Sequence, residues 1–393
     1  MSYKNSPEKT LIPNTTYHGE ALEVLKNFPS ESIDCVMTSP PYWGLRNYEV
    51  DQQLGLEPTA KEFIDRLCDI FDEVKRVLRP HGTVWINLGD TYINYKDGKS
   101  TGQSLAKGTT REHAHEIPKG RSVSRDPKLL RKQGFLDKSL AQIPSRFAIA
   151  MGDRGWILRN EIIWHKPNCM PSSIKDRFTV DFEKIFFFTK QPRYYFEQQF
   201  EPYLEPLNRW GGSDYTEDHN QKYEFEGREA RPNPEGRNKR AVWAVPTAAY
   251  ADAHFATYPI ELCVTPIKAG CPEFVCTKCG KPRQKIFEPT EEYAKFLGKS
   301  WNPHIDDMKM GFGQQTRGQK KGDVAGIKRY NFKGYTDCGC GAPFQKGIVL
   351  DPFFGSGTTA LAAQQAGRNW LGIELNHEYL QQAKKRLAQG VLI

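Results

Sequence analysis

Thr38-Ser39-Pro40-Pro41-Tyr42-Trp43 is the stretch of this chain best equipped for chemistry. It follows the apolar run Ile33-Asp34-Cys35-Val36-Met37, which reads as a buried strand, so the six residues fall at the carboxyl edge of a sheet. Two consecutive prolines fix φ and remove two N–H donors, leaving stiffly held carbonyls without competing donors beside them. Ser39 adds a hydroxyl acceptor and Tyr42 a flat ring. Acceptors beside a stacking face suit a planar heterocycle that carries an exocyclic amino group. Such an amine is a poor nucleophile because its lone pair is delocalised into the ring. Two acceptors on its hydrogens draw the nitrogen towards a tetrahedral geometry and stabilise charge there as it attacks a methyl donor. The same residues also read, more plainly, as a proline-punctuated junction between strand and loop.

A second constellation lies near the C-terminus. Ile348 to Asp351 reads as a strand, Pro352 to Gly357 as a tight turn, Thr358 to Ala366 as a helix, Asn369 to Glu374 as a strand and 376–388 as a last helix. Gly355, Gly357 and Ala360 fit the G-x-G-x-x-G/A phosphate fingerprint, and Glu374 stands where an acid meets ribose hydroxyls. One reading is half of a NAD-binding domain, which would make the chain an oxidoreductase. That reading demands further strands after Glu374, whereas 19 residues follow it. The sheet is therefore expected to be completed by strands from earlier in the chain, in a circularly permuted order.

Four cysteines form a third constellation. Cys276 and Cys279 bracket a turn ending in Gly280, and Cys338 and Cys340 supply two more thiols. Four thiolates close a tetrahedral zinc site with no open position, so the metal expected here is structural. Unliganded surface cysteine is the alternative, and Cys271 is a possible substitute ligand. Cys35, Cys68, Cys169 and Cys263 are expected to be core thiols. Nine cysteines in a chain without an export signal argue against a disulfide framework.

The intervening elements must position these groups. Residues 1–17 read as a loose arm, and Gly19 to Phe28 has a helical pattern. Residues 44–58 read as a mobile loop over the first motif. Phe63, Ile64, Leu67, Ile70, Phe71, Val74, Val77 and Leu78 fall at helical steps, and Arg79-Pro80-His81-Gly82 stops that helix before the strand Thr83–Leu88. Residues 139–151 read as helix, 157–165 and 183–189 as two strands, the second central and paired antiparallel with the first. Strand–helix alternation implies an α/β fold with a parallel sheet. Two blocks break the pattern. From Lys96 to Lys138 eleven Lys/Arg face five Asp/Glu, which accounts for most of the net charge of +8. This basic block is either a solvated insertion or a phosphate-contacting loop. Residues 194–245 mix aromatics with arginines, which suits contact with bases and backbone as well as any polar surface. With 393 residues, 38% hydrophobic and 26% charged, the chain has room for two or three domains. No apolar run approaches a membrane span and no signal peptide opens the chain, so a cytoplasmic protein is expected.

Taken together, these motifs resemble the permuted, beta-group amino-methyltransferases of DNA, which use S-adenosylmethionine. In that family a Ser/Asp-Pro-Pro-aromatic tetrad comes first, a target-recognition region follows, then a cofactor-contacting helix, then an Asp-Pro-Phe-x-Gly-x-Gly-Thr loop. All four parts occur here in that order, the helix matching Ala253 to Leu262, and Trp156 with Trp164 to Asn168 matches a further family stretch. The resemblance implies a circularly permuted Rossmann-like methyltransferase sheet with an inserted target-recognition region and a zinc-knuckle insert. Its parts are a catalytic segment 1–90, the basic insertion 91–137, core 138–193, target recognition 194–245, the cofactor helix 246–270, the zinc-binding insert 271–346 and the cofactor unit 347–393. Similar cysteine-bearing inserts occur in the family at this place. Ser39, Pro40, Pro41 and Tyr42 would hold a flipped base. Asp351, Phe353, Gly355, Ser356, Gly357 and Thr358 would line the cofactor with Glu374 on its ribose, and His254, Phe255, Ala256 and Thr257 would lie along it. Ser in the tetrad, with Thr before and Trp after, goes with cytosine N4 in this family, and Asp there goes with adenine N6. The chain has no Pro-Cys dipeptide, which excludes carbon-5 methylation of cytosine. The implied partners are double-stranded DNA and a separate restriction endonuclease, with the chain a monomer or homodimer.

Overall fold

The computed structural model describes residues 11–45, 47–48, 50–95, 126–202, 237–247, 258–291 and 330–390. Its elements run β1 (Thr15–His18), α1 (Ala21–Leu25), β2 (Ile33–Thr38), α2 (Ala60–Val77), β3 (Leu78–Leu88), α3 (Pro127–Lys132), α4 (Ile143–Asp153), β4 (Ile157–His165), β5 (Phe182–Thr189), β6 (Phe200–Glu201), β7 (Arg237–Asn238) and β8 (Val242–Ala244). They continue with α5 (Ile260–Gly270), β9 (Phe274–Cys276), β10 (Lys285–Pro289), β11 (Tyr330–Tyr335), β12 (Phe344–Lys346), β13 (Ile348–Asp351), α6 (Thr358–Gln365), β14 (Asn369–Glu374) and α7 (His377–Gly390).

Every residue of β2 is buried, as a strand covered on both faces must be. It lies in an eight-stranded sheet of order β1-β14-β13-β2-β3-β5-β4-β8. Side chains alternate between two cores. Val36 joins α2 on one face, while Cys35 and Met37 join α5 and α6 on the other. Trp85 of β3 stacks on Phe187 of β5 at 3.9 Å between ring centroids. The helix α2 opens on a capping box made by Thr59 and Glu62 and buries Phe63, Leu67, Phe71 and Val74.

β13 pairs in parallel with β14 on one side and β2 on the other, so early strands do complete the C-terminal unit. At the start of β2 the buried Asp34 takes the Ile348 N–H at 2.8 Å and pairs with Arg79 and His81, fastening β2 to both neighbours. β4 and β5 pair antiparallel, which makes the sheet mixed rather than parallel throughout.

Several expectations are corrected. Residues 15–18 are not part of a loose arm. They form β1, pairing with β14 from Thr15↔Leu371 to His18↔Glu374, a segment too short to show periodicity. The helix expected from Ser139 starts at Ile143, because Gln142 takes the left-handed conformation and Pro144 sits in the first turn. Of the stretch Ala253–Leu262 expected as a helix, residues 253–257 lie outside the described residues, and in the described part the helix begins at Ile260. Pro259 is extended at its N-cap, and a residue before proline is steered away from helix. In the loop 44–58, Gln53 and Leu54 are buried and the Gly44 N–H donates to the Gly55 carbonyl, so this segment is a packed wall. Cys35, Cys68, Cys263 and Cys271 are buried, but Cys169 is half-exposed.

The chain divides into two compact units, one of residues 1–197, 241–283 and 338–393 and the other of 198–240 and 284–337. The sheet belongs to the first. In the second, β6 pairs antiparallel with β7, where Glu201 accepts from Arg237 and Arg240, and β10 pairs antiparallel with β11. Residues 96–125, 203–236 and 292–329, which hold most of the basic and target-reading segments and half of the zinc-binding insert, lie outside the described residues. Among the described residues no helix is long and apolar enough to cross a membrane.

Candidate active site

The ends of six strands and the start of a seventh converge on one cleft of about 390 Å³, within the roughly 300–1,000 Å³ typical of ligand pockets. β1, β2, β3, β4, β13 and β14 deliver their carboxyl ends to it. β5, running the other way, delivers its first residues. Ser39, Pro40, Pro41 and Tyr42 line the cleft, as do Phe353, Gly355, Ser356, Thr358 and Glu374. The first and last motifs of the sequence thus share one cavity. His254, Phe255, Ala256 and Thr257 lie outside the described residues.

Asp351 couples the two motifs from behind the lining. Its carboxylate is fully buried and accepts from the Thr38 hydroxyl at 2.6 Å, the Thr359 hydroxyl at 2.7 Å, the Tyr258 hydroxyl and the Phe353 N–H, both at 3.0 Å. Burial raises its pKa, and the hydroxyl donors pull it back. Tyr258, pushed well above the usual tyrosine range by burial and by Asp351, is a member of the cleft that sequence reasoning passed over. Gly357 takes a left-handed φ of 78° to cap α6, a conformation that glycine adopts without strain.

At the β14 end, Glu374 accepts from the Gly355 N–H at 2.7 Å and the Asn376 N–H at 2.8 Å. Burial raises its pKa. Arg386 of α7 donates to the hydroxyls of Ser356 and Thr358 at 2.9 and 2.8 Å, holding the glycine turn against the helix. Gly372 is needed for packing, since a Cβ there would come within 2.2 Å of the Phe354 ring.

At the β2 end, the tetrad rests on residues that sequence reasoning missed. Ser39 donates to Asn87 Oδ1 at 3.3 Å. The Tyr42 hydroxyl lies 2.6 Å from Glu183 Oε2 and 3.2 Å from Asn87 Oδ1. Asn87 in turn donates to Glu183 Oε2 at 3.0 Å and to the Lys184 carbonyl at 3.3 Å. Lys166 forms an ion pair with Glu183 Oε1. Burial and the Glu183 carboxylate push the Tyr42 phenol well above its usual range. The Tyr42 ring lies so close to Gly89 that a Cβ there would stand 2.4 Å from it. Trp43 is buried and donates to the Glu57 carbonyl, so it anchors the loop rather than lining the cleft. The one signal for Asn87 was an amide within the otherwise apolar strand Val84-Trp85-Ile86-Asn87-Leu88.

Cys276, Cys279, Cys338 and Cys340 form a separate cluster in the first unit, with all four Sγ atoms within 4.8 Å of one another. Zinc–sulfur bonds of about 2.3 Å place tetrahedral thiolates about 3.8 Å apart, so this donor set fits zinc. The Cys279 and Lys278 N–H groups draw the Cys276 thiol down to about 6, while its sulfur neighbours push Cys340 up to about 12. β9 and β12 pair antiparallel and bring the two cysteine pairs together. Cys271 is buried elsewhere in the core and is not a member.

Residues 33–274 and 343–385 match the family described as DNA methylase. The chain is 33% identical to Type II methyltransferase M.Cfr9I of Citrobacter freundii over 95% of this chain and 87% of that protein. It is 31% identical to Type II methyltransferase M.SmaI of Serratia marcescens over 94% and 89%. Among solved structures, PvuII DNA methyltransferase (cytosine-N4-specific) is 17% identical and aligns with a TM-score of 0.50 over 96% of this chain and 87% of that one, a likeness of fold.

Proposed function

The chain belongs to the DNA methylase family whose members modify exocyclic amino groups, and on that premise we propose that it methylates N4 of a cytosine flipped out of double-stranded DNA. The observation that carries this reading is the shared cleft, in which the Ser39–Tyr42 acceptor edge faces the Glu374 end of the βαβ unit. Ser39 supports cytosine over adenine through its resemblance to tetrads of the N4 type, with Thr38 before and Trp43 after. The adjacency of β13 and β2 is what a permuted methyltransferase sheet requires.

The residues present fit S-adenosylmethionine. Glu374 is a buried carboxylate suited to ribose hydroxyl donors, and Phe353 and Leu54 offer apolar walls to the same cleft. S-adenosylmethionine supplies a methyl carbon on a cationic sulfur that leaves with the bonding pair. Ser39 Oγ and the Pro40 carbonyl accept the two amine hydrogens, and the Tyr42 ring stacks on the base. These contacts hold the nitrogen in line with the methyl carbon and strengthen as positive charge builds on it. Extruding the base from the duplex costs a few kcal/mol, offset by contacts in the pocket.

Incubating the protein with unmethylated DNA and labelled S-adenosylmethionine, then identifying the methylated nucleoside by mass spectrometry, tests the assignment. N4-methylcytosine is expected. N6-methyladenine would keep the family and overturn the base. The names of the relatives support a place in a Type II restriction-modification pair beside a separate endonuclease. The four-cysteine cluster is read as a structural zinc site. Metal analysis should find one zinc per chain, and chelation should lower the melting temperature before it lowers the rate of methyl transfer. Instant loss of activity with fold and cofactor binding intact would sink that role.

A further inference from the structure

Hydrogen bonds have a direction, and the network behind Ser39 and Tyr42 has only one consistent way to run. Lys166 carries donors and no acceptor, so Glu183 Oε1 must accept from it. The other oxygen of Glu183 faces the Asn87 amide and the Tyr42 hydroxyl at 3.0 and 2.6 Å. A carboxylate offers no hydrogen to either, so both must donate. The second hydrogen of the Asn87 amide is taken by the Lys184 carbonyl. With both amide hydrogens committed, Asn87 Oδ1 is fixed on the side of Ser39 and can only accept. Ser39 therefore turns its single proton inward to Oδ1, and Tyr42 turns its own inward to Glu183.

We infer that Glu183 is a positioning residue: through Asn87 it fixes Ser39 as an outward-facing acceptor beside the Pro40 carbonyl, so the cleft takes an amino-bearing base and rejects one with a carbonyl at the same place. The inference rests on the amino-methyltransferase reading above and extends it to residues outside the tetrad. An amine offers hydrogens to Ser39 Oγ and to the Pro40 carbonyl. A uracil or thymine ring would set its carbonyl lone pairs against theirs. Serine alone does not make this distinction, because a freely rotating hydroxyl donates as readily as it accepts. The distinction is made by β3 and β5, whose register holds Asn87 opposite Ile185, with Lys184 opposite Leu88.

Replacing Glu183 with glutamine keeps the shape and removes the enforced direction. A glutamine that keeps its oxygen on Lys166 sets its nitrogen against the Asn87 amide nitrogen and the Tyr42 hydroxyl, so Asn87 loses the acceptor that holds it and the Tyr42 and Ser39 hydroxyls are free to turn. The test measures single-turnover methyl transfer from labelled S-adenosylmethionine to unmethylated DNA, counting every methylated base, beside cofactor affinity by calorimetry. Glu183→Gln should slow transfer by about 30–100-fold and leave cofactor affinity within about twofold. In a Ser39→Ala background the same change should cost less than about threefold, because the residue through which it acts is gone. Where Ser39→Ala falls below detection, Tyr42→Phe serves as the background, and the combined cost should again be less than the product of the separate ones. An unchanged rate in Glu183→Gln, a proportional loss of cofactor binding, or multiplicative losses in the double variant would each overturn the inference. Methyl transfer to no base by the wild-type protein would instead overturn the reading on which it rests.

Discussion

The two ends of the cleft are built on opposite plans. The β13–α6–β14 end is local. Glu374 reaches back 19 residues to the Gly355 N–H, and the turn between them takes its shape from glycines at left-handed φ values of 52° and 78°. The β2 end is assembled from a distance. Tyr42 meets Asn87 across 45 residues and Glu183 across 141. A local site carries its geometry in its own backbone. A distributed site depends on strand register, and a slip of one residue in β3 against β5 would turn Asn87 to the other face. The local end is suited to gripping a cofactor, and the distributed end to setting the hydrogen-bond polarity of a substrate pocket.

The sharpest way to break this comparison is to truncate one acid or hydroxyl at each end. Ser39→Ala should lower the turnover of bound substrate by about 10²–10³-fold and leave the affinity for S-adenosylmethionine unchanged. Glu374→Ala should weaken that affinity by about 10–100-fold and leave the rate at saturating cofactor within severalfold. Single-turnover rates and calorimetry on both variants decide the matter. If both changes move the same parameter, the division of labour is wrong. Asp351→Asn should damage both ends together. It would set an amide nitrogen against one pair of donors, either Thr38 and the Phe353 N–H on one oxygen or Tyr258 and Thr359 on the other. Stability should fall by about 2–4 kcal/mol in urea unfolding.

The same contrast explains what could be read in advance. The glycine turn, its acid and the Ser-Pro-Pro-Tyr junction are contiguous, so spacing alone exposed them. The length of α2 followed from apolar residues at helical steps, and the pairing of β4 with β5 from two apolar runs joined by a polar loop. The adjacency of β13 and β2 followed from a count of strands rather than from any local pattern. Asn87, Glu183 and Tyr258 were hidden because their significance lies in partners far along the chain. Glu183 in particular reads as the charged start of an apolar strand until β3 is laid beside it. β1 was hidden for another reason, as four residues with no buried side chain among them give periodicity nothing to report.

A smaller effect should come from Gly89, which nothing in the local sequence singled out. An added Cβ would stand 2.4 Å from the Tyr42 ring and force it from its place over Asn87 and Glu183. Gly89→Ala should slow transfer by about tenfold and cost about 1–3 kcal/mol. Gly152, inside α4 with nothing within 4 Å of its would-be Cβ, is the control. There alanine should leave the rate unchanged and add about 0.5–1 kcal/mol of stability. An equal loss of rate at both glycines would remove the Tyr42 contact as the cause.

The mildest effect is a pH dependence confined to the local end. Burial raises the Glu374 carboxyl above its ordinary 4.5, against the pull of the Asn376 and Gly355 N–H groups. A folded-state pKa above the unfolded one means that this group favours the fold most below pH 4.5 and gives up that contribution as pH climbs through its folded value. Cofactor binding carries the opposite sign. On the proposed reading the carboxylate form accepts from both ribose hydroxyls, and protonation weakens it as an acceptor. Affinity for S-adenosylmethionine should therefore weaken severalfold between pH 7 and pH 5, starting at a higher pH than an exposed glutamate would dictate. Glu374→Gln should bind more weakly at pH 7 and lose most of the slope. Calorimetric titrations of both proteins across that range separate the outcomes. Parallel slopes would place the titrating group elsewhere and leave the local end of the cleft without its proposed hold on the ribose.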